Sequence, residues 1–254
     1  WLTPLVRAEG RVMKCVRTCE VNMEKQKEVN ILRTVILLLL VLVVIPLLPI
    51  LISGRWGWWQ AWVMAAVFLL SFVISRALAA RRTPDILRER ANFGQHENTQ
   101  SWDKVLSPLV AFGSVFVMAA AGLEARFGGP AHFSLAVQMA GLALILAGYG
   151  LASYAFVVNA FFSGTVRIQE ERGHKVIRSG PYAWVRHPGY AGSLVASLGM
   201  PLLLNSAWAF LPVVIFGAVF FIRTRLEDRF LQGNLPGYRE YAQKVRYRLL
   251  PGVW

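Results

Sequence analysis

Long apolar runs constrain the fold of this chain more than any other feature. Of its 254 residues, 56% are hydrophobic and only 16% are charged, whereas a soluble domain carries about 25% charged residues. A helix of about 20 apolar residues crosses the hydrocarbon core of a bilayer. We therefore predict an all-α, polytopic membrane helix bundle with about six transmembrane segments. One of these segments begins with a cluster of tryptophans and ends near residue 78. The others are residues 31–52, 105–125, 133–162, 190–204 and 208–223.

The positive charges are gathered between these runs. Of 27 lysines and arginines, 25 fall in residues 1–33, 76–104, 163–189 and 223–248, which leaves only Arg55 and Arg126 elsewhere. An even number of crossings between the blocks puts all four on one face, and the positive-inside rule makes that face cytoplasmic. We predict a multi-pass protein with both termini and its active site in the cytoplasm. The net charge of +13 then reflects topology and attraction to anionic lipids rather than nucleic-acid binding.

The same pattern predicts three regions. Residues 1–30 form a cytoplasmic N-terminal extension, residues 31–132 form transmembrane hairpins, and residues 133–254 form a core with a loop at 163–190 and a helical tail. The polar stretch 79–103 is either a short interfacial helix or a solvated loop. In the region 133–162, Gly141, Gly148 and Gly150 are small enough to allow close contact with a neighbouring helix.

No pattern of metal ligands occurs in the sequence. The two cysteines lack a second Cys or His pair nearby, and the four histidines show no metal-binding spacing. We therefore predict no metal site. These residues are Cys15, Cys19, His96, His132, His174 and His187.

A polar motif, GPYAWVRHPGYAG at residues 180–192, interrupts the apolar runs. Polar groups beside hydrocarbon are costly, so such a cluster indicates either a functional site or an anchor at the headgroups. Pro188 favours an extended backbone at His187, and Tyr190 then opens the next helix. An irregular loop at this depth indicates a cavity beside it.

A second polar string, RTRLED at residues 223–228, follows the last apolar run. Arg223 and Glu227 are four residues apart and share a helix face, so they form either a salt bridge with each other or part of a site. In the second case Glu227 reaches the cavity below His187. We expect Arg225 and Asp228 to be solvated or to face the lipid headgroups.

Together these strings resemble the isoprenylcysteine carboxyl methyltransferase family of integral-membrane enzymes. The matching strings are HKVIRSGPY at 174–182, RHPGY at 186–190, and Arg223-x-x-x-Glu227-x-x-x-Leu231 with Tyr238 and Tyr241 after it. The resemblance covers residues 140–254. The gap between Gln169 and His174 is shorter than in eukaryotic members, and Leu-Pro-Gly precedes Tyr238 where Phe-Gly often stands.

The resemblance implies S-adenosylmethionine as the cofactor and a cytoplasmic loop that binds it. It assigns Arg223 to the carboxylate of the substrate, and both Arg223 and Glu227 to catalysis. The implied cofactor-binding residues are Gln169, His174, Lys175, Val176, Ile177, Tyr182, His187, Pro188, Gly189, Tyr190 and Glu227.

The function that follows is methyl transfer from S-adenosylmethionine to a lipid-like or prenylated acceptor, a carboxylate such as a prenylcysteine. Membrane lipids are the other expected partners. Phospholipid N-methylation is an alternative, as is NADPH-dependent reduction of a sterol-like double bond, because RHPxY-like strings also occur in membrane sterol reductases. Arg167, Arg172, Lys175 and Arg178 could bind the phosphates in the last case. A structural or transport bundle would bind no cofactor.

Overall fold

The computed structural model describes residue 36 and residues 38–91, 98–129 and 131–254. The chain divides into two compact units at Ile45 and Pro46. In the first unit the described residues include a π-helix, Leu40–Val44. The predicted extension 1–30, with Cys15 and Cys19, lies outside the described residues, as does His96.

The described residues form helices and no strands, which confirms the all-α prediction for that part of the chain. A π-helical turn, Glu124–Gly128, continues the helix Asp103–Leu123, and short 3₁₀ helices occur at Glu170–Arg172 and Gly180–Ala183. The helices are α1 (Ile45–Ser53), α2 (Trp59–Arg82), α3 (Pro84–Ala91), α4 (Asp103–Leu123), α5 (Leu135–Val158), α6 (Pro188–Leu203), α7 (Phe210–Asn234) and α8 (Tyr238–Lys244).

Three helices in the described ranges are long and apolar enough to cross a membrane. They are Trp59–Arg82, Asp103–Gly128 and Leu135–Val158. Helix α6 has only 16 residues, and the second half of α7 is charged. The six crossings therefore stay a prediction.

Helix α5 ends at Val158 and not at Phe162 as predicted. Asn159 leaves the helical conformation with φ −98° and ψ 101°. Its side-chain Oδ1 accepts a hydrogen bond from the backbone N–H of Phe161 at 2.9 Å. Asparagine competes with a helix in this way because its short side chain bonds nearby backbone groups. The chain thus enters its irregular loop one turn earlier than the apolar run indicates.

Glycines bring α5 and α6 into close antiparallel contact. Gly141 faces Gly199 and Gly148 faces Gly192, and a Cβ atom on Gly148 would lie 2.5 Å from the carbonyl oxygen of Gly192. The predicted close contact is confirmed for Gly141 and Gly148, which are about two helical turns apart and share a face. It is wrong for Gly150, where a Cβ atom would meet nothing within 4 Å, because two residues turn a helix by about 200°.

Buried side chains from the second unit fill a core between the helices. Burial of such groups contributes about 25 cal/mol per Å² of apolar surface, so this core sets the relative positions of α1, α2, α4, α5, α6 and α7. Its members include Ile50, Met64, Val117, Ile145, Met200 and Val213.

The stretch 79–103 contains a short helix, α3, which packs on the protein. Ile86 is fully buried with Ala79, Phe156 and Val157. The helical alternative is therefore confirmed for residues 84–91. Because Ile86 contacts the end of α5, α3 lies beside the loop that follows α5 and helps to hold it.

Candidate functional site

A cavity lies where the loop after α5, the start of α6, the charged half of α7 and helix α8 meet. It encloses about 790 Å³, including the space at its open mouth. Both polar motifs from the sequence reach its wall.

The structure brings almost all predicted site residues together around this one cavity. The exception is Pro188, the first residue of α6, which is buried but does not line the cavity. The roles assigned to these residues stay predictions. The predicted residues that line the cavity are Gln169, His174, Lys175, Val176, Ile177, Tyr182, His187, Gly189, Tyr190, Arg223 and Glu227.

His187, Tyr190 and Glu227 form one side of the cavity. His187 precedes α6 with φ −126°, outside helical geometry, as predicted from Pro188. Its ring stacks on that of Tyr190, with 5.7 Å between centroids and 7° between planes. The Tyr190 hydroxyl donates to Oε2 of Glu227 at 2.6 Å. The imidazole of His187 and the carboxylate of Glu227 can therefore contact the same small molecule.

Arg223 forms its ion pair with Asp103 of α4 and not with Glu227. Nε lies 2.7 Å from Oδ1 of Asp103, and Nη2 lies 3.1 Å from Oδ2. Nη2 also donates to the carbonyl of Gly164 at 2.9 Å. Both charged side chains are buried. The guanidinium edge that carries Nε therefore makes a two-point contact within the protein.

Asp228 is buried, so the prediction that it is solvated or faces the headgroups is wrong. It accepts hydrogen bonds from Arg186 at 2.6 and 3.0 Å, from Arg248 at 2.9 Å and from Tyr238 at 3.1 Å. One residue after Glu227 it points about 100° further round α7, toward α8 and the tail. Arg225 is exposed, as predicted.

Arg186 ties the C-terminal tail to the motif that precedes α6. Its Nη1 donates to the carbonyls of Val245 at 2.7 Å and Arg246 at 2.9 Å. The backbone N–H groups of Arg186 and His187 also donate to the carbonyls of Tyr247 and Arg248. The tail thus fixes the backbone on which His187 sits.

Two arginines, Arg167 and Arg172, stabilise the loop that follows α5. Arg167 contacts Glu89 of α3 at 2.8 Å, and Arg172 donates to the carbonyl of Ala160 at 2.8 Å. Arg172 also donates to the side chain of the fully buried Gln169. Two of the four basic residues that could bind the phosphates of NADPH are therefore engaged within the protein.

His174 is neutral near pH 7. Burial, and next the charges of Arg167 and Arg172, lower the pKa of His174 to about 4. Its Nδ1 accepts a hydrogen bond from the backbone N–H of Gln169 at 3.3 Å, and its ring stacks on Phe161 with 4.7 Å between centroids. Burial likewise raises the pKa of Tyr182 above its usual range.

Sequence reasoning missed the residues that support the site. Arg186 was visible inside the RHPGY string, and Asp103 was visible as an acid at the start of an apolar run, where ionisable groups are costly. No sequence signal pairs Glu89 with Arg167, which lies 78 residues away. The missed residues are Glu89, Asp103, Thr165, Arg186 and Asp228, and Arg167 was considered only as a phosphate ligand.

Comparisons with known proteins find relatives that are methyltransferases by name. A probable protein-S-isoprenylcysteine O-methyltransferase of Oryza sativa subsp. indica is 26% identical over 189 residues, which cover 73% of this chain and 93% of that protein. Protein-S-isoprenylcysteine O-methyltransferase B of Arabidopsis thaliana is 32% identical over 108 residues, 41% of this chain and 55% of that protein.

A sterol reductase also shares part of the sequence. A Delta(14)-sterol reductase of Mus musculus is 32% identical over 95 residues, 36% of this chain and 23% of that protein. The family model for the isoprenylcysteine carboxyl methyltransferase (ICMT) family matches residues 136–233, the part of the chain that contains α5, the loop, α6 and α7. The resemblance predicted from the two motifs is therefore confirmed, and residues 136–233 carry the sequence pattern of the isoprenylcysteine carboxyl methyltransferase family.

Proposed function

We propose that this chain is an integral-membrane methyltransferase that esterifies the carboxylate of a lipid-like acceptor, an S-prenylated cysteine, with S-adenosylmethionine as methyl donor. One observation carries the proposal. Arg223 and Glu227, a cation and an anion one turn apart on α7, line the same cavity. A cationic donor and an anionic acceptor would each find a partner of opposite charge there.

The residues of the cavity fit the methyl donor. Glu227 suits a sulfonium or ammonium because its carboxylate is only partly exposed and lies beside aromatic rings. His187 and Tyr190 offer ring faces and hydrogen bonds, while Val176 and Ile177 offer apolar contact. When bound, S-adenosylmethionine supplies a methyl group on sulfur that a carboxylate oxygen can accept directly, with the bonding electron pair left on the sulfur.

The proposed reaction requires orientation and no proton transfer. A carboxylate is already a nucleophile, so no general base is needed, and Tyr190 keeps its proton in the hydrogen bond to Glu227. The rate then depends on holding the reacting atoms in line. Arg223 would contact the acceptor through Nη1, because its Nε edge is bound to Asp103.

The proposal includes the membrane arrangement derived from the charges. Six crossings put the cavity at the cytoplasmic leaflet. A lipid-like acceptor would enter from the bilayer and the polar donor from the cytoplasm. Labelling of single cysteines placed at Arg126 and in the 223–248 block would test this, since the two sites should react from opposite sides of the membrane.

Methyl-transfer assays on the full chain in nanodiscs test the function. With tritiated S-adenosylmethionine, N-acetyl-S-farnesylcysteine should become labelled, and mild base should release the label as methanol. Its carboxamide and phosphatidylethanolamine should stay unlabelled. Label in phosphatidylethanolamine would favour N-methylation instead. NADPH binding without any methyl transfer would overturn the proposal and favour the sterol-reductase alternative. The 95-residue stretch shared with the Delta(14)-sterol reductase is the observation that favours that alternative.

A further inference from the structure

One hydroxyl in the cavity wall has no hydrogen-bond partner among the described residues. Four buried side-chain polar atoms in the described part of the chain lack a hydrogen bond, those of Thr83, Tyr149, Thr165 and Thr224. Of these residues only Thr165 lines the cavity, and it is 5% exposed. A buried hydroxyl without a partner is unfavourable. Its position in the wall of a pocket indicates that a ligand supplies the missing partner.

The backbone around Thr165 is fixed. Its own N–H donates to Oγ of Ser163 at 3.3 Å, and the N–H of Val166 donates to Oδ2 of Asp103 at 2.6 Å. The carbonyl of Gly164 accepts from Nη2 of Arg223. Thr165 therefore sits between two residues that are tied to the Asp103–Arg223 pair, which fixes the backbone that carries its hydroxyl.

Arg223 has one guanidinium nitrogen without a hydrogen bond in the described part of the chain. Its Nε and Nη2 are bound by Asp103 and Gly164, whereas Nη1 makes no hydrogen bond within the described ranges 38–91, 98–129 and 131–254. Arg223 lines the same cavity as Thr165. The wall thus offers a charged donor and a neutral donor. An oxyanion with two oxygens, such as a carboxylate, is the ligand that such a pair suits.

Arg223 and Thr165 form a part of the cavity that is separate from the part near Glu227. Arg223 precedes Glu227 by four residues, about 6 Å along α7, on the side of the apolar half of the helix. Residues 210–222 of that half carry no charge. An oxyanion at Arg223 and Thr165 would therefore lie closer to the bilayer than a cation at Glu227, as expected for a lipid-like acceptor with a carboxylate end.

We infer that Thr165 is an acceptor-binding residue, whose hydroxyl donates to the acceptor carboxylate beside Nη1 of Arg223 and selects a carboxylate over a neutral group. This inference rests on the proposed function, because it names where the acceptor of that reaction is bound.

The test uses Thr165→Val, which keeps the shape and removes the hydroxyl, in the full chain in nanodiscs. Loss of one hydrogen bond to a charged group should raise KM for N-acetyl-S-farnesylcysteine about tenfold, while kcat and the Kd for S-adenosylmethionine change less than about twofold. Inhibition by the carboxamide of that acceptor should change less than KM does. Thr165→Ser should restore KM. The matched control is Thr224→Val, since Thr224 is also buried and unpartnered but does not line the cavity.

Three results would overturn the inference: an unchanged KM in Thr165→Val, an equal rise in Thr224→Val, or a weaker Kd for S-adenosylmethionine with KM unchanged, which would assign the hydroxyl to the donor. Failure of the proposed function looks different. In that case the unmodified chain does not methylate N-acetyl-S-farnesylcysteine at all, before any variant is compared.

Discussion

Two buried aspartates hold two parts of the cavity, and they differ in what they leave for a ligand. Asp228 binds Arg186, Arg248 and Tyr238, and the remaining contacts of Arg186 go to carbonyls of the tail. Asp103 binds Arg223 and the backbone of Val166.

The first cluster is closed on itself, because the guanidinium of Arg186 and the hydroxyl of Tyr238 donate within the protein. The second is partly open, since Nη1 of Arg223 and the hydroxyl of Thr165 have no partner in the described chain. A closed polar cluster fixes the shape of a site, whereas an open one also contacts the ligand. Both aspartates pair with buried arginines, so a change at either should cost stability. Of the two ligands, a change at Asp103 should affect mainly the acceptor.

The largest effect is expected for Asp228→Asn. The substitution leaves Arg186 buried without its anionic partner, and breaking a buried pair in this way costs about 3–5 kcal/mol. Thermal unfolding in nanodiscs should show a clear loss of stability, together with weaker binding of S-adenosylmethionine because the tail no longer fixes His187. The matched control is Glu240→Gln, an exposed acid on α8. Equal unfolding midpoints for the two variants would contradict the structural role of Asp228.

Asp103→Asn should separate the two parts of the cavity. Arg223 and residues 164–166 lose their common anchor, so kcat/KM for N-acetyl-S-farnesylcysteine should fall about a hundredfold, or about 2.7 kcal/mol. The Kd for S-adenosylmethionine should change less than about threefold in the folded fraction. Asp85→Asn, an exposed acid in the first turn of α3, serves as control. A loss of donor affinity as large as the loss of turnover would show that Asp103 does not act on the acceptor selectively.

The packing of α5 against α6 supports both the part of the cavity held by Asp228 and the part held by Asp103. Substitutions at two glycines of α5 can therefore be compared. Gly148→Ala places a Cβ atom 2.5 Å from the carbonyl of Gly192 and should cost about 1–3 kcal/mol of stability. Gly150→Ala meets nothing within 4 Å and should be neutral or stabilising, because alanine is a better helix former. Denaturation of the two variants should differ, while the surviving folded protein keeps both ligand affinities. Equal stability would mean that the helices do not pack so closely.

The smallest effect concerns acid pH. The pKa of His174 is lowered to about 4 in the folded chain and is about 6.5 in an unfolded one. Between these values the unfolded state binds more protons, so the stability contributed by neutral His174 is present above about pH 6.5 and is lost as the pH falls toward about 4. His174→Gln should make unfolding midpoints less dependent on pH in this window. An unchanged dependence would contradict the low pKa.

Local patterns in the sequence were sufficient for part of this fold. Hydropathy predicts α2, α4 and α5, because each helix carries apolar side chains along nearly its whole length. The spacing of Gly141 and Gly148 predicts a close helix contact. The two polar motifs predict the cavity wall, since polar groups at membrane depth need partners or a ligand.

The supporting contacts could not be predicted in the same way. Asp103 and Arg223 are 120 residues apart and Arg186 and Asp228 are 42 apart, so no helical or strand periodicity links them. The prediction for Asp228 was wrong because a charged residue next to Glu227, at the polar end of a helix, is usually solvated. Only the return of the tail over that helix face buries it. The orientation of Arg223 likewise depends on where α4 begins in space.

The central claim is that Glu227 and Arg223 bind opposite charges of two different ligands in one cavity. Calorimetric titration of S-adenosylmethionine into Glu227→Gln and Arg223→Lys, both in nanodiscs, tests it most directly, because each variant keeps most of the side chain and lysine keeps a charge for Asp103. We expect Kd to rise about thirtyfold in Glu227→Gln, as for a lost contact with a charged group, and less than about threefold in Arg223→Lys. Normal donor binding by Glu227→Gln, or a larger loss in Arg223→Lys, would contradict the account.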